Sequence, residues 1–197
     1  MIFNLKLFRK IIKAAYNGVG LAVGKDNDEY FLEGGTWVMR IAERAFDKAY
    51  KGAVIELVGD LPESGEVLRA TKDNIQYELP FNSIWKMESI EQAKIPVYPT
   101  NTYIEHKGTM CRVMQGQNNR CMVMTATLAA VVDDSALDDE IDTYIEGPNQ
   151  IRDIYSALYW ENNTCSFMAL TRNEMLSGTE DDILNKLSEM DMREVGQ

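Results

Sequence analysis

Residues 18–41 read GVGLAVGKDNDEYFLEGGTWVMRI, and this stretch decides the fold class. Short apolar runs alternate in it with turn-forming residues, first from Lys25 to Asp28 and then at Gly34-Gly35. Since Asn, Asp and Gly favour tight turns, the pattern predicts a three-stranded antiparallel meander. Parallel strands would instead need crossover connections of about a dozen residues or more.

Strand-like runs joined by tight turns recur along the rest of the chain, with a few helical stretches between them. We therefore predict an α+β protein with mostly antiparallel strands and short helices. Pro96 and Pro99 form the best boundary, which would separate an N-terminal lobe of residues 1–95 from a C-terminal lobe of residues 96–197. Lys51-Gly52 and Lys107-Gly108 each precede an apolar run, a turn and a second run, so two similar lobes would fit.

Hydrophobic periodicity predicts the individual elements. Helices are expected at residues 5–16, 42–51, 84–90 and 179–192. Strands are expected at residues 53–58, 66–71, 75–79, 98–105, 109–114, 120–127, 155–161 and 164–170. The first helix is amphipathic and basic, which favours a packed helix with a solvated basic side; a role at a membrane surface or on nucleic acid is the alternative. Its cations are Lys6, Arg9, Lys10 and Lys13.

Charge is distributed unevenly along the chain. Residues 1–120 contain 16 Lys/Arg and 15 Asp/Glu, a net charge of +1, whereas residues 121–197 contain 4 Lys/Arg and 16 Asp/Glu, a net charge of −12. The two add to the overall −11. Such a field repels nucleic-acid phosphates and attracts basic protein surfaces, so direct binding to nucleic acid is not expected.

The sequence lacks the motifs of common active sites. His106 is the single histidine, which excludes zinc sites with several histidines, and we expect it to be a solvated residue at a strand end. Gly18-Val19-Gly20 followed by Gly24 departs from the GxGxxG fingerprint, and no phosphate-binding P-loop is present. We therefore expect a protein that is not an enzyme, with no catalytic residues, metal or cofactor.

Cysteine usage indicates a reducing compartment. Cys111, Cys121 and Cys165 are odd in number and lack CxxC spacing, which is typical of reduced thiols. No apolar run approaches the roughly 20 residues that span a bilayer, so we expect a cytoplasmic protein that does not contact membranes.

The most unusual segment is Asp133 to Glu146, with seven carboxylates in 14 residues. One interpretation is a solvated acidic loop that supplies solubility; the other is a docking surface for a basic partner. In the second interpretation the carboxylates provide the electrostatic attraction and an aromatic side chain, Tyr144, Tyr159 or Trp160, provides the apolar anchor. The carboxylates are Asp133, Asp134, Asp138, Asp139, Glu140, Asp142 and Glu146.

Two resemblances accompany these patterns. Residues 30–40, YFLEGGTWVMR, resemble a segment of uncharacterised phage and mobile-element proteins of Gram-positive gut bacteria, although those often have Gly-His-Trp where Gly35-Thr36-Trp37 stands here. The order of a helix followed by hairpins is similar to the lobes of DNA sliding clamps. The first resemblance implies no activity, and the second implies a clamp-like fold.

The sequence thus predicts an acidic, non-enzymatic binding protein of a phage or mobile element. Its partner would be a basic surface on a nucleic-acid-handling protein, for example a defence nuclease that it inhibits, because closely spaced carboxylates imitate phosphates. A clamp-like DNA accessory protein is the first alternative and a carboxylate-dependent hydrolase the second.

Overall fold

The computed structural model describes residues 1–76, 95–151, 154–173 and 176–193. Within these residues the chain forms four α-helices, eleven strands and a short 3-10 helix at Asp134–Ala136. The helices are α1 (Leu5–Asn17), α2 (Lys48–Val58), α3 (Ala126–Ala129) and α4 (Thr179–Leu187). The strands are β1 (Leu21–Asp26), β2 (Glu29–Glu33), β3 (Trp37–Ala42), β4 (Val67–Thr71), β5 (Asn74–Gln76), β6 (Ile95–His106), β7 (Thr109–Gly116), β8 (Cys121–Thr125), β9 (Glu146–Ile151), β10 (Ile154–Glu161) and β11 (Cys165–Leu170).

The described strands join in one sheet with the order β5-β4-β1-β2-β3-β11-β10-β9-β6-β7-β8. Every neighbouring pair is antiparallel. The predicted α+β class with mostly antiparallel strands is therefore confirmed, as is the meander of β1, β2 and β3. Strand β11 returns from the end of the chain to pair with β3, so the N-terminal meander is completed by a distant segment.

Helix α1 forms as its periodicity predicts. The side chain of Asn4 accepts hydrogen bonds from the amides of Lys6 and Leu7 and so caps the N-terminus. One face is buried against the sheet and the opposite, basic face is exposed. The buried residues are Phe8, Ile11, Ile12 and Ala15.

Helix α2 corrects two predictions. A helix was expected at residues 42–51 and a strand at residues 53–58, but one helix covers Lys48–Val58. Asp47 caps it by accepting from the amides of Ala49 and Tyr50. Tyr50, Val54 and Val58 are spaced by four and all are buried, so the apolar run that resembled a strand is the inner face of a helix. Lys51-Gly52 thus lies in a helix, while Lys107-Gly108 forms a hairpin turn.

The second half of the chain agrees with the expected strands in β6, β7, β8, β10 and β11, and adds β9, which the sequence did not indicate. Strand β6 pairs with β9 through Pro96 and with β7 along most of its length, and so links the two parts of the sheet. The expected helix through residues 84–90 lies outside the described residues, and the division into lobes at residues 95 and 96 stays a prediction.

Two layers of core position the surfaces discussed below. The main core joins α1, α2 and α3 to the sheet. A smaller apolar cluster lies on β7 and β8 and is covered by Leu184 of α4. Among the described residues, no helix has the length and apolar character needed to cross a membrane.

Candidate functional site

The acidic segment, defined as residues 133–146, runs between α3 and β9, and its carboxylates divide into a half-buried or buried group and an exposed group. Asp133 belongs to the first group. It accepts hydrogen bonds from the Ser135 hydroxyl at 2.7 Å and from Asn4 Nδ2 at 3.0 Å. These bonds, that of the Ser135 hydroxyl first, hold the pKa of Asp133 below its ordinary value. Asp133 therefore ties the segment to the start of α1.

Asp142 is the second anchor, with a side chain that is 0% exposed. It pairs with the amino group of Met1, accepts from the Thr164 hydroxyl, and accepts from the Asp138 amide at 3.0 Å. Burial raises the pKa of Asp142, but the hydrogen bonds from the Met1 amino group, Thr164 and Asp138 outweigh burial and lower the pKa. Asp142 was predicted to contact the partner, but its carboxylate binds groups inside the protein instead.

The turn between β10 and β11 fixes the segment from the other side. Asn163 Nδ2 donates to the carbonyl of Ile141 at 2.8 Å, and Asn163 Oδ1 accepts from the amide of Thr143 at the same distance. Asn162 is buried and donates to Thr143 O. The sequence indicated a turn at this asparagine pair but not these bonds, because the backbone groups that it binds lie about twenty residues away.

The exposed group lies on the outer side of the segment. Asp134, Asp138, Asp139 and Glu140 are exposed. Beside them Tyr144 is 74% exposed and Ile141 is 40% exposed. Glu146, the seventh carboxylate, begins β9 and is only half-buried. The four carboxylates and two apolar side chains form what we name the acidic face: Asp134, Asp138, Asp139, Glu140, Ile141 and Tyr144.

Tyr159 and Trp160, the other two aromatic candidates, are core residues in this structure, with 2% and 4% exposure. The Tyr159 hydroxyl donates to Glu161 at 3.0 Å, and burial raises the pKa of Tyr159. Trp160 packs against Phe167 with ring centroids 5.5 Å apart. Neighbouring residues of a strand point to opposite faces, and both faces are covered here. Of the three expected anchors, Tyr144 is the one at the surface.

His106 corrects another expectation. It was expected to be solvated, but it is 2% exposed. Its Nδ1 lies 2.8 Å from Glu180 Oε2 of α4, and its Nε2 is buried with no hydrogen-bond partner among the described residues. The reason is that α4 packs over this end of the β6–β7 hairpin, which the local sequence around His106 does not show.

The cysteines and carboxylates also bear on reactivity. Cys111, Cys121 and Cys165 are buried free thiols. Burial is the main cause that raises the pKa of each, and a raised pKa disfavours the thiolate that nucleophilic chemistry needs. Within the described part of the chain, no three His, Cys, Asp or Glu side chains are grouped so that they could hold a metal ion.

A second surface lies on α1. Its four cations Lys6, Arg9, Lys10 and Lys13 are exposed, which agrees with the predicted basic helix. Beside them is a groove of about 670 Å³, which we name the α1 groove. It is bounded by the C-terminal half of α1, the turn before β3, the β6–β7 turn and the start of α3. Its walls are mostly apolar, and Lys10 is the charged residue among the described residues that line it.

Comparison with known proteins places the chain in no family. No family model and no curated protein matches it. Among solved structures, the beta subunit from the DNA polymerase of Streptococcus pyogenes is similar at 8% identity and a TM-score of 0.33, over 89% of this chain and 67% of that one. A DNA polymerase III subunit beta, the DnaN sliding clamp from Bartonella birtlesii LL-WM9, is similar at 8% identity and a TM-score of 0.25, over 93% of this chain and 66% of that one. The chain thus spans about two thirds of each, and at these scores no functional statement follows.

Proposed function

We propose that this protein acts by binding and is not an enzyme, and that its acidic face docks on a basic surface of a nucleic-acid-handling protein. The observation that carries the proposal is the acidic face itself. Four exposed carboxylates stand beside Tyr144 on a segment whose backbone is held by Asp133, Asp142 and Asn163. A surface that is ordered before binding loses less conformational entropy when it binds.

The chemistry of the face supports a basic partner. Carboxylates close together on one surface imitate the charge of a phosphate backbone, and they steer a basic partner toward it at long range. Tyr144 and Ile141 add the apolar contact that interface centres prefer. A phage or mobile-element protein that inhibits a defence nuclease would use such a surface.

The test begins with affinity capture from the host cell and measures association with the captured partner. A variant with Asp134→Asn, Asp138→Asn, Asp139→Asn and Glu140→Gln should associate about tenfold more slowly at low salt, a change of about 1.4 kcal/mol in the barrier to association. The matched control neutralises four exposed carboxylates elsewhere: Glu56→Gln, Asp73→Asn, Asp182→Asn and Glu189→Gln. If both variants bind the partner like the parent protein at every ionic strength, the acidic segment only supplies solubility and the proposal is wrong.

The second candidate function is a clamp-like, DNA-associated accessory protein. The observation that favours it is the set of exposed cations on α1, which we name the cation row: Lys6, Arg9, Lys10 and Lys13. Duplex DNA should then bind with an affinity that falls steeply with salt concentration, because binding releases counterions from the phosphates. Lys6→Glu together with Lys13→Glu should abolish that binding. Absence of any DNA binding at low salt would remove this candidate.

A further inference from the structure

Among the residues that the structure describes, the cations of α1, which are Lys6, Arg9, Lys10 and Lys13, have no ion-pair partner. By contrast, Lys25, Arg40 and Arg69 on the sheet are all paired. In a protein of net charge −11, where carboxylates outnumber cations, four neighbouring exposed cations that pair with no described carboxylate form a local positive surface. Such a surface is complementary to an anionic ligand.

The α1 groove gives this surface an apolar neighbour. Val19 and Met110 stand on its rim with 68% and 50% exposure, although both are apolar. Trp37 lines it and is almost wholly buried. Lys10 belongs both to the groove and to the cation row. The charged and apolar surfaces are therefore continuous, and a ligand could contact both at once.

We propose that the α1 groove binds an acidic segment of a partner protein that carries large apolar side chains. In an extended segment successive side chains point to opposite sides, so alternate apolar residues would enter the groove while the intervening carboxylates meet the α1 cations. The phosphates of duplex DNA would pair with the cations of α1, but duplex DNA would make no apolar contact with the exposed Val19 and Met110. The α1 groove and the acidic face share no residue, so the two proposals stand or fall separately.

The test uses a short synthetic peptide in which glutamate alternates with leucine and phenylalanine. Binding is followed by the methyl NMR signals of the methionines, among which Met110 should shift and Met190, 57% exposed on the chain after α4, should not. We expect saturable binding. Two matched peptides, one with glutamine for each glutamate and one with serine for each apolar residue, should both bind more weakly. Equal binding of either control peptide would overturn the proposal.

Variants of the protein provide the second arm. Lys10→Glu should weaken binding at least about fivefold, because it removes one ion pair and creates a like-charge contact. Lys186→Glu, which reverses an exposed lysine of α4 outside the groove, should not change it. Met110→Gln should weaken binding, while Met190→Gln should not. All four positions are exposed, so the variants should fold, as melting curves would verify.

Three results would contradict the proposal. The first is peptide binding that Lys10→Glu leaves unchanged. The second is displacement of the peptide by short duplex DNA or by phosphatidylglycerol vesicles, which would make the natural ligand a nucleic acid or a lipid surface. The third is concentration-dependent self-association, measured by sedimentation, that Met110→Gln abolishes, since the occupant would then be a second copy of this chain.

Discussion

Single residues at the turn before β3 determine the shape of the α1 groove. The Trp37 indole lies over Gly34 so closely that an added Cβ would stand 2.2 Å from a ring carbon. Gly35 has a φ of +78°, a backbone conformation that other residues rarely adopt, and an added Cβ there would stand 2.7 Å from Val19 Cγ2. Glycine at these two positions therefore leaves room for the side chains of Trp37 and Val19, and both side chains line the groove. The sequence showed a turn here but not this purpose.

The first prediction concerns Gly34. Gly34→Ala should destabilise the protein by about 1–3 kcal/mol, because the buried Trp37 ring must move to admit a methyl group. Gly52→Ala is the control: Gly52 lies inside α2, where no described atom beyond the local helix backbone and the two chain neighbours is within 4 Å of an added Cβ, and this change should stabilise by about 0.5–1 kcal/mol. Urea unfolding monitored by circular dichroism measures both. Equal stability of Gly34→Ala and the parent protein would mean that the Trp37 ring is not tightly held.

At the level of residues, the sequence indicated which side chains are unusual but not which of them are buried. It singled out the seven carboxylates and His106, but it did not separate the half-buried Asp133 and the buried side chain of Asp142 from the four exposed residues. The partners explain why. Asp142 meets Thr164, and His106 meets Glu180, and both pairs are far apart along the chain. Burial of this kind is decided by tertiary packing, on which local pattern carries little information.

Among the elements, α4 is held to the sheet by hydrogen bonds near both of its ends. Its N-terminal end is held by the bond from Glu180 to His106, and just beyond its C-terminal end Ser188 Oγ accepts from the Cys121 amide at 2.8 Å. Between them Leu184 covers the apolar cluster that contains Cys111 and Cys121. Opening of α4 would therefore expose two thiols that are now buried, while Cys165 lies in the main core.

The second prediction uses those thiols. Glu180→Ala leaves the buried His106 ring without its partner, which costs about 1–3 kcal/mol. Local opening of α4 should become more frequent, and labelling of Cys111 and Cys121 by a thiol reagent should be about tenfold faster or more. Labelling of Cys165 should not change. Mass spectrometry identifies the labelled sites.

The control for this experiment is Asp182→Ala. It removes a carboxylate from the same first turn of α4, with the same effect on the helix dipole, but Asp182 is exposed. Equal labelling rates in the two variants would show that the His106 contact does not hold the helix in place.

Element types were predicted well where flanking turns were clear and poorly where an apolar run was ambiguous. The β1–β3 meander and the hairpins of β6–β7 and β10–β11 have Gly, Asn or Asp turns and were found. Residues 53–58 satisfy both strand and helix patterns, and the Asp47 cap decides in favour of the helix. Strand β9, with Gly147 and Pro148, has little strand propensity and is stabilised by its neighbours β10 and β6.

At the scale of the whole molecule, the uneven distribution of charge was evident from the sequence. The fold exposes both the cations of α1 and the carboxylates of the acidic face. Among the described ion pairs, none joins a cation of α1 to a carboxylate of the acidic face, although Asp133 and Asn4 bring the start of α1 next to the acidic segment. Two docking surfaces of opposite sign would suit a protein that joins a basic partner to an acidic one. Internal pairing of these charges would have stabilised the fold, so their separation is expected where charges serve binding.

The third prediction measures the energetic consequence of this separation. If the acidic face is kept for binding, its carboxylates repel one another without compensation. The variant with Asp134→Asn, Asp138→Asn, Asp139→Asn and Glu140→Gln should therefore be more stable than the parent by about 0.5–2 kcal/mol at low ionic strength. The control variant at Glu56, Asp73, Asp182 and Glu189 loses the same four charges from scattered positions and should gain less.

Salt provides the internal check on that prediction. At about 1 M salt the screening length falls to about 3 Å, so the difference between the two variants should almost disappear. Urea unfolding at both ionic strengths measures it. A gain that persists in high salt would have a cause other than repulsion, and equal gains in the two variants would show that the acidic face is no more strained than any other carboxylates on the surface. Greater stability together with slower partner binding is the combination expected of a surface shaped by function rather than by folding.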